Sequence, residues 1–392
     1  MTSLKKWIGE EEQEKGIDWD FPDARREKTN YSSHGVHSYT SKYIPQIPHF
    51  LIRKYSQEHD LILDNFVGSG TTLIEAALLN RNSIGVDLNG YPCLISFVKT
   101  LILKPDEIKS LKLYLGNIQN YIQSFRSQKN HLSERVNFKE LHLDETIASQ
   151  TFVSRLYSQE NLTELLIIKS VINTIESERI RKILTLCLLG ILRRVSFLSS
   201  NFANDYVPRN KNKKSDVLKE FISEYDDILE RLIDFSKKAS DKIKIRILNE
   251  DTRDLSLNNE SVDLIINHPP YISAVPYAEY FKLEMLWLGL VPKELNKKII
   301  GGQRGSNNVV ERFNEGMEKT FVEMFRVLKK GKYACVVIGN ARVKGKIIES
   351  NKDFIEIAKK AGFTFIEDIC RNKLDCANAW MKTEHILIFK KE

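Results

Sequence analysis

Short apolar runs alternate with amphipathic segments in the first quarter and the last two fifths of the chain. The runs predict strands at 61–65, 83–87, 243–248, 262–266, 333–339, 363–369 and 384–389. Apolar residues three or four positions apart predict helices at 48–55, 73–79, 277–288, 314–328 and 351–361. Alternation of this kind is typical of an open α/β sheet covered by helices.

The alternation stops after about residue 104, and 106–238 has the periodicity of helices almost throughout. We therefore predict three parts. Residues 1–33 form a polar, charged amino-terminal arm that packs on the body or stays partly mobile. Residues 34–104 and 241–392 form the sheet domain, and 105–240 form a helical insertion.

Composition narrows the class of protein. With 392 residues and 42% hydrophobic content, the chain can fill a large core. Its net charge of +7 weakly favours an anionic partner such as nucleic acid, and one basic stretch lies at 208–214. The five cysteines lack the spacing of a metal site, and no apolar run has signal-peptide or transmembrane length. We expect a soluble cytoplasmic protein without a structural metal.

A glycine turn follows the first predicted strand, in the order Phe66, Val67, Gly68, Ser69, Gly70, Thr71, Thr72. Glycines let a ligand approach the backbone, and the following helix offers unpaired N–H donors. The turn lacks the lysine of a phosphate loop and the third glycine of a dinucleotide fingerprint, which favours a smaller nucleoside ligand. An ordinary tight turn is the alternative interpretation.

Three aspartates lie at or just past predicted strand ends, namely Asp64, Asp87 and Asp251. Asp87 follows the glycines by about 20 residues, the spacing at which a carboxylate reaches a ribose diol. Any one of them could instead be a helix cap. Together they favour a cationic ligand rich in hydroxyl groups at the carboxyl edge of the sheet.

A second turn, Asn267-His268-Pro269-Pro270-Tyr271, ends the predicted strand at 262–266. The two prolines stop the strand and present a backbone carbonyl without a competing N–H. Tyr271 offers a ring face on which a flat base could stack. The alternative is a structural turn whose histidine is satisfied by neighbouring backbone.

These motifs resemble those of the amino-directed DNA methyltransferases, which methylate adenine N6 or cytosine N4. Residues 64–72 resemble the cofactor motif D-P-F-x-G-x-G-T-T of that family, and 267–271 resemble its catalytic motif D/N/S-P-P-Y. Residues 39–48 resemble the segment before the first strand, and 326–331 the segment before the fifth. Only the arm and the insertion remain outside the resemblance.

The resemblance implies a Rossmann-like class I methyltransferase sheet of seven strands, with one antiparallel strand near its end, and S-adenosyl-L-methionine as cofactor. It assigns Asp87 to the ribose hydroxyls and Asp251 to the adenine amino group. The glycine turn would bind the methionine portion, and the segment with Tyr39, Lys42 and Pro45 would close over it. The insertion and the loop at 290–312 would be target-recognition elements.

Two departures from the family pattern stand out. Asn65 replaces the usual proline after Asp64, which we expect to be harmless because this position mainly shapes the turn. His268 stands where adenine enzymes carry Asp or Asn and cytosine-N4 enzymes carry Ser. The residues around the turn look most like relatives with Ser-Pro-Pro-Tyr, so cytosine N4 is the preferred target and adenine N6 the second choice.

The expected partners are double-stranded DNA with a flipped target base, a cognate restriction endonuclease, and no membrane. Two further functions remain open. RNA guanine-N2 methyltransferases share a similar Pro-Pro-Tyr turn, although the region before Tyr39 is short for the RNA-binding domain they often carry. Alternatively, His268 disables the chemistry, and the chain is a catalytically silent cofactor-binding protein that recognises DNA.

Overall fold

The computed structural model describes residues 17–24, 26–40, 42–130, 150–198, 206–208, 215–272, 276–301, 308–372 and 383–392. Parts of three predicted features lie outside these ranges. They are residues 209–214 of the basic stretch, residues 302–307 of the predicted loop at 290–312, and the first sixteen residues of the arm.

The described strands are β1 Leu61–Asp64, β2 Asn82–Val86, β3 Ile245–Leu248, β4 Val262–Asn267, β5 Leu328–Gly339, β6 Ala341–Val343, β7 Lys346–Ile348, β8 Thr364–Asn372 and β9 Thr383–Lys390. Seven of them form one sheet in the order β3-β2-β1-β4-β5-β9-β8. Pairs from β3 to β5 are parallel, and β9 is antiparallel to both of its neighbours. The predicted class I sheet with one antiparallel strand is therefore confirmed.

The described helices are α1 Arg26–Thr29, α2 Gln46–Tyr55, α3 Thr71–Leu78, α4 Gly90–Lys99, α5 Pro105–Asn130, α6 Thr151–Ser154, α7 Gln159–Asn173, α8 Glu178–Ile191, α9 Val217–Lys238, α10 Tyr277–Tyr280, α11 Lys282–Trp287, α12 Pro292–Lys298, α13 Val309–Val327 and α14 Ser350–Ala361. The single helix predicted at 277–288 is wrong in one respect. It divides at Phe281, whose backbone leaves the helical region at φ −108° and ψ 23°. The hairpin of β6 and β7 was not predicted.

The central strands bury side chains on both faces of the sheet, because side chains alternate along each strand and helices pack on both sides. Ile62, Leu264 and Ile266 face one side and pack with Leu51 of α2. On the other face, Leu63, Ile265, Val336 and Leu387 join the core formed with Phe321 of α13 and Phe354 of α14. Helices on both faces leave the carboxyl ends of the parallel strands as the open edge.

The helical insertion shares its core with the sheet domain. Apolar side chains of α5, α7, α8 and α9 form one cluster with α4 and with Leu283, Met285 and Trp287 of α11. Tyr206 of the insertion donates its hydroxyl to the carbonyls of Glu279 and Tyr280, and Lys169 donates to that of Trp287. The boundaries at 105 and 240 stay a prediction. Within the described part of the chain, no helix is long and apolar enough to span a membrane.

Candidate active site

A cleft opens at the carboxyl ends of β1 to β4, where open α/β sheets bind their ligands. Nine residues predicted for the site lie in its wall: Tyr39, Lys42, Phe66, Gly68, Thr71, Asp87, Asp251, His268 and Pro270. Seven predicted residues lie outside that wall: Pro45, Asp64, Gly70, Thr72, Asn267, Pro269 and Tyr271.

The turn after β1 depends on its two glycines. Gly68 and Gly70 have φ values of +48° and +84°, in the left-handed region that favours glycine. A Cβ on Gly70 would lie 2.9 Å from the Cβ of Ser96, so the missing side chain lets the turn approach α4. The Gly68 N–H points to Asp87 and donates to its Oδ2 over 3.3 Å.

Asp87 is a half-buried acceptor in the cleft wall. Burial raises the pKa of its carboxyl to about 6, although the N–H groups of Asn89 and Gly68 oppose the shift. Close by, Ser69 Oγ and Asn89 Nδ2 are buried without a hydrogen-bond partner among the described residues. A ligand with hydroxyl and amino groups would satisfy these atoms, so the wall fits a nucleoside.

Asp64 supports the glycine turn from beneath. It accepts hydrogen bonds from the Phe66 N–H, over 3.1 Å, and from the Thr72 hydroxyl, which also pairs with the Tyr43 hydroxyl. Burial raises the pKa of Asp64 to about 7 despite these bonds. Asp64 and Thr72 therefore hold the turn in shape, while direct contact with a cofactor stays a prediction for both.

Asp251 lines the cleft, and Arg253 lies beside it. The guanidinium donates to the two carboxylate oxygens over 2.8 and 2.6 Å. Burial alone would raise the pKa of Asp251, but the hydrogen bonds from Arg253 outweigh it and lower the pKa below its usual value. Asp251 is therefore an ionised acceptor, as contact with an adenine amino group requires.

The segment before α2 forms the opposite wall. The Tyr39 ring stacks on Phe281, with centroids 4.7 Å apart and planes at 8°. Lys42 donates to the carbonyl of His34 over 3.3 Å. Below them, buried Glu75 accepts from His34 and His49 over 2.6 and 2.7 Å, which anchors the segment to α3.

The turn after β4 brings His268 and Pro270 to the cleft. Asn267 is fully buried, and its amide donates to Asn65 Oδ1 over 2.6 Å. Asn65 in turn donates to Thr252 Oγ1 over 2.5 Å, so the two amides join three strand ends. Asn65, expected mainly to shape its turn, thus also connects that turn to Thr252 and Asn267.

Tyr271 is buried, with 8% of its surface exposed. Its hydroxyl donates to Glu384 Oε1 over 2.5 Å and lies 3.0 Å from His268 Nε2. The other oxygen of Glu384 accepts from Arg371 over 2.7 Å. Sequence reasoning missed Glu384 and Arg371, because β8 and β9 carry other charged residues as well and no sequence signal sets these two apart. Stacking of Tyr271 on a base stays a prediction.

The sheet order and the cleft at its carboxyl edge define a class I S-adenosylmethionine-dependent methyltransferase fold. A family model described as DNA methylase matches residues 3–97, which hold the glycine turn and Asp87 but not the turn after β4. The type II methyltransferase M.MjaII of Methanocaldococcus jannaschii is 23% identical over 95% of this chain and 82% of its own length. The type II methyltransferase M.MvaI of Kocuria varians is 23% identical over 85% and 82%.

The chain is thus similar to DNA methylases over residues 3–97 and to type II methyltransferases along most of its length. Among solved structures, the chain is similar to an S-adenosylmethionine-dependent methyltransferase from Methanosarcina mazei. The identity is 11%, the TM-score is 0.35, and the match covers 87% of this chain and 97% of that one.

Proposed function

We propose that the protein is a site-specific DNA methyltransferase that methylates an exocyclic base amino group, with cytosine N4 as the preferred target. The observation that carries this proposal is the shared cleft: His268 and Pro270 line the same space as Gly68 and Asp87. A base at the turn after β4 would therefore lie next to a nucleoside cofactor held by the turn after β1.

Bound S-adenosyl-L-methionine supplies a methyl group on a positively charged sulfur. Asp87 would hold its ribose hydroxyls and Asp251 its adenine amino group, while Gly68 and Ser69 would border the methionine portion. Tyr39 would cover this portion from the opposite wall. The acceptors and unpartnered polar atoms of the wall support this arrangement.

The exocyclic amino nitrogen is a weak nucleophile because its lone pair is delocalised into the ring. A neutral His268 nitrogen and the Pro269 carbonyl would accept its two hydrogens and localise the lone pair. With the methyl group supplied by the bound cofactor, His268 would take up the proton that the amino nitrogen loses on methylation. Catalysis then consists of positioning and electrostatics.

The substrate would be duplex DNA with its target base flipped into the cleft. Its recognition would fall to the insertion at 105–240 and the segment at 290–312, which was predicted as a loop but contains α12 and the start of α13. Since two relatives are named type II methyltransferases, we also propose that the protein works within a restriction–modification system, alongside a cognate endonuclease.

Mass spectrometry of nucleosides from treated duplex DNA tests this function. We expect N4-methylcytosine, and N6-methyladenine alone would refute the preferred base while keeping the reaction class. N2-methylguanine in tRNA, with unmodified DNA, would favour the RNA alternative. Cofactor and DNA binding without transfer to any substrate would favour the silent DNA-recognition protein.

A further inference from the structure

A buried chain of polar groups connects the turn after β4 to the far edge of the sheet. His268, Tyr271, Glu384 and Arg371 follow one another at 3.0, 2.5 and 2.7 Å. The side chains of Glu384 and Arg371 are only 1% and 6% exposed. Of these four residues only His268 lines the cleft, so the other three act on the site through it.

The sheet register assembles this chain. On β9, Glu384 pairs with Arg371 of β8 on one side and with Gly339 of β5 on the other. A Cβ on Gly339 would lie 2.5 Å from the Tyr271 ring, so the glycine makes room for Tyr271 beside Glu384. Arg371 is also held from the arm, because its Nε donates to the Trp19 carbonyl over 2.8 Å.

The charge at the far end sets the direction of the hydrogen bonds. A guanidinium remains protonated and only donates. Arg371, 2.7 Å from Glu384, favours an ionised carboxylate there, and an ionised carboxylate only accepts. Glu384 Oε1 therefore takes the hydrogen of the group that faces it, which is the Tyr271 hydroxyl.

The same argument extends to His268. Burial, with a further contribution from Glu384, raises the pKa of Tyr271 well above 10, so the phenol keeps its hydrogen. Because that single hydrogen points to Glu384, the Tyr271 oxygen accepts toward His268, and Nε2 of the imidazole must carry a hydrogen. A neutral ring with a hydrogen on Nε2 has Nδ1 as its acceptor nitrogen.

We propose that Glu384 and Arg371 are positioning residues that hold His268, through Tyr271, in the tautomer with the proton on Nε2, so that Nδ1 accepts the amino hydrogen of the target base. This inference rests on the proposed function. The residue type at position 268 also supports the inference, because a histidine stands there in place of the Asp, Asn or Ser of the family pattern. Asp, Asn and Ser offer an acceptor oxygen without choosing a tautomer, whereas a neutral imidazole accepts at only one of its two nitrogens.

The four linked side chains also stabilise the proton transfer. When Nδ1 receives the proton released by the base amino group, the ring becomes positively charged. Its Nε2 lies 3.8 Å from the Glu384 carboxylate, which is close enough to favour that charge in a buried setting. The proton then passes to solvent, and the neutral tautomer is restored.

The test is ¹⁵N NMR of protein labelled in its eight histidines, without DNA or cofactor. His268→Asn identifies the His268 signals by their loss. We expect the wild-type shifts of a neutral ring with hydrogen on Nε2. In Glu384→Gln, the Arg371 guanidinium should donate to the oxygen of the new side-chain amide, because it can only donate. The NH₂ group of that amide should then face Tyr271. The Tyr271 hydroxyl must donate to His268 instead, so the tautomer should invert.

Activity supplies a second readout. For Glu384→Gln we expect kcat to fall about 100-fold with the cofactor Kd unchanged within about twofold. Glu367→Gln, an exposed position on β8, is the matched control and should keep wild-type kcat. A wild-type ring that is doubly protonated or protonated on Nδ1 would overturn the inference, and so would an inverted tautomer with full kcat. Failure of this inference can be told apart from failure of the proposed function, because the tautomer of wild-type His268 is measured without turnover.

Discussion

The affinity for S-adenosyl-L-methionine should depend on the protonation of Asp87. A carboxylate accepts hydrogen bonds from both ribose hydroxyls, whereas a protonated carboxyl cannot accept as well. The pKa of Asp87 is raised to about 6, so the carboxylate is lost as pH falls through 6. The form that binds falls from about 90% at pH 7 to about 10% at pH 5. We therefore expect about tenfold weaker binding at pH 5.

Isothermal titration calorimetry from pH 5 to 8 measures this dependence. Asp87→Asn should bind roughly 10- to 150-fold more weakly at pH 7, from loss of about 1.5–3 kcal/mol of charge-assisted hydrogen bonding. The loss of affinity between pH 7 and pH 5 (the acid limb) should also disappear in this variant. Asp254→Asn, an exposed position near the cleft, is the control and should keep both the affinity and the limb.

Two results would refute this reasoning. One is wild-type affinity that stays flat between pH 5 and 8. The other is an acid limb that persists unchanged in Asp87→Asn. The second result would point to another group that titrates in this range, such as Asp64, whose pKa is raised to about 7 by burial.

Two further predictions concern stability. Gly70→Ala places a methyl group 2.9 Å from Ser96 Cβ at φ +84°, so urea unfolding should show a loss of about 2–4 kcal/mol. Gly345→Ala, at the same φ with no described atom within 4 Å, should lose only about 1 kcal/mol, and an equal loss in both would contradict the packing argument. Asn267→Ala leaves Asn65 Oδ1 without its donor and should cost about 1–3 kcal/mol in thermal unfolding; an unchanged melting temperature would contradict the role of the amide pair.

Much of the sheet could be predicted because its strands are apolar runs that end at turn residues. The glycine turn and the prolines after Asn267 mark two such ends, and residues close in sequence form each turn. The division of the helix at Phe281 was not predictable, since the apolar periodicity continues across it.

The sequence did not reveal the partners of the turn after β4. Glu384 follows Tyr271 by 113 residues, and their contact depends on β9 lying between β5 and β8. Periodicity predicts strands but not which strands pair. The amides of Asn65 and Asn267 were missed for the same reason, because 202 residues separate them and only the β1–β4 pairing brings them together.

Single-molecule methylome sequencing tests the central claim most directly. The protein should be expressed in a host without DNA methyltransferases of its own, beside a strain that expresses His268→Ala as the control. We predict N4-methylcytosine at one defined sequence context in the wild-type strain and unmodified DNA in the control strain. Unmodified DNA in both strains, with folded wild-type protein that binds S-adenosyl-L-methionine, would contradict the claim that this turn methylates DNA.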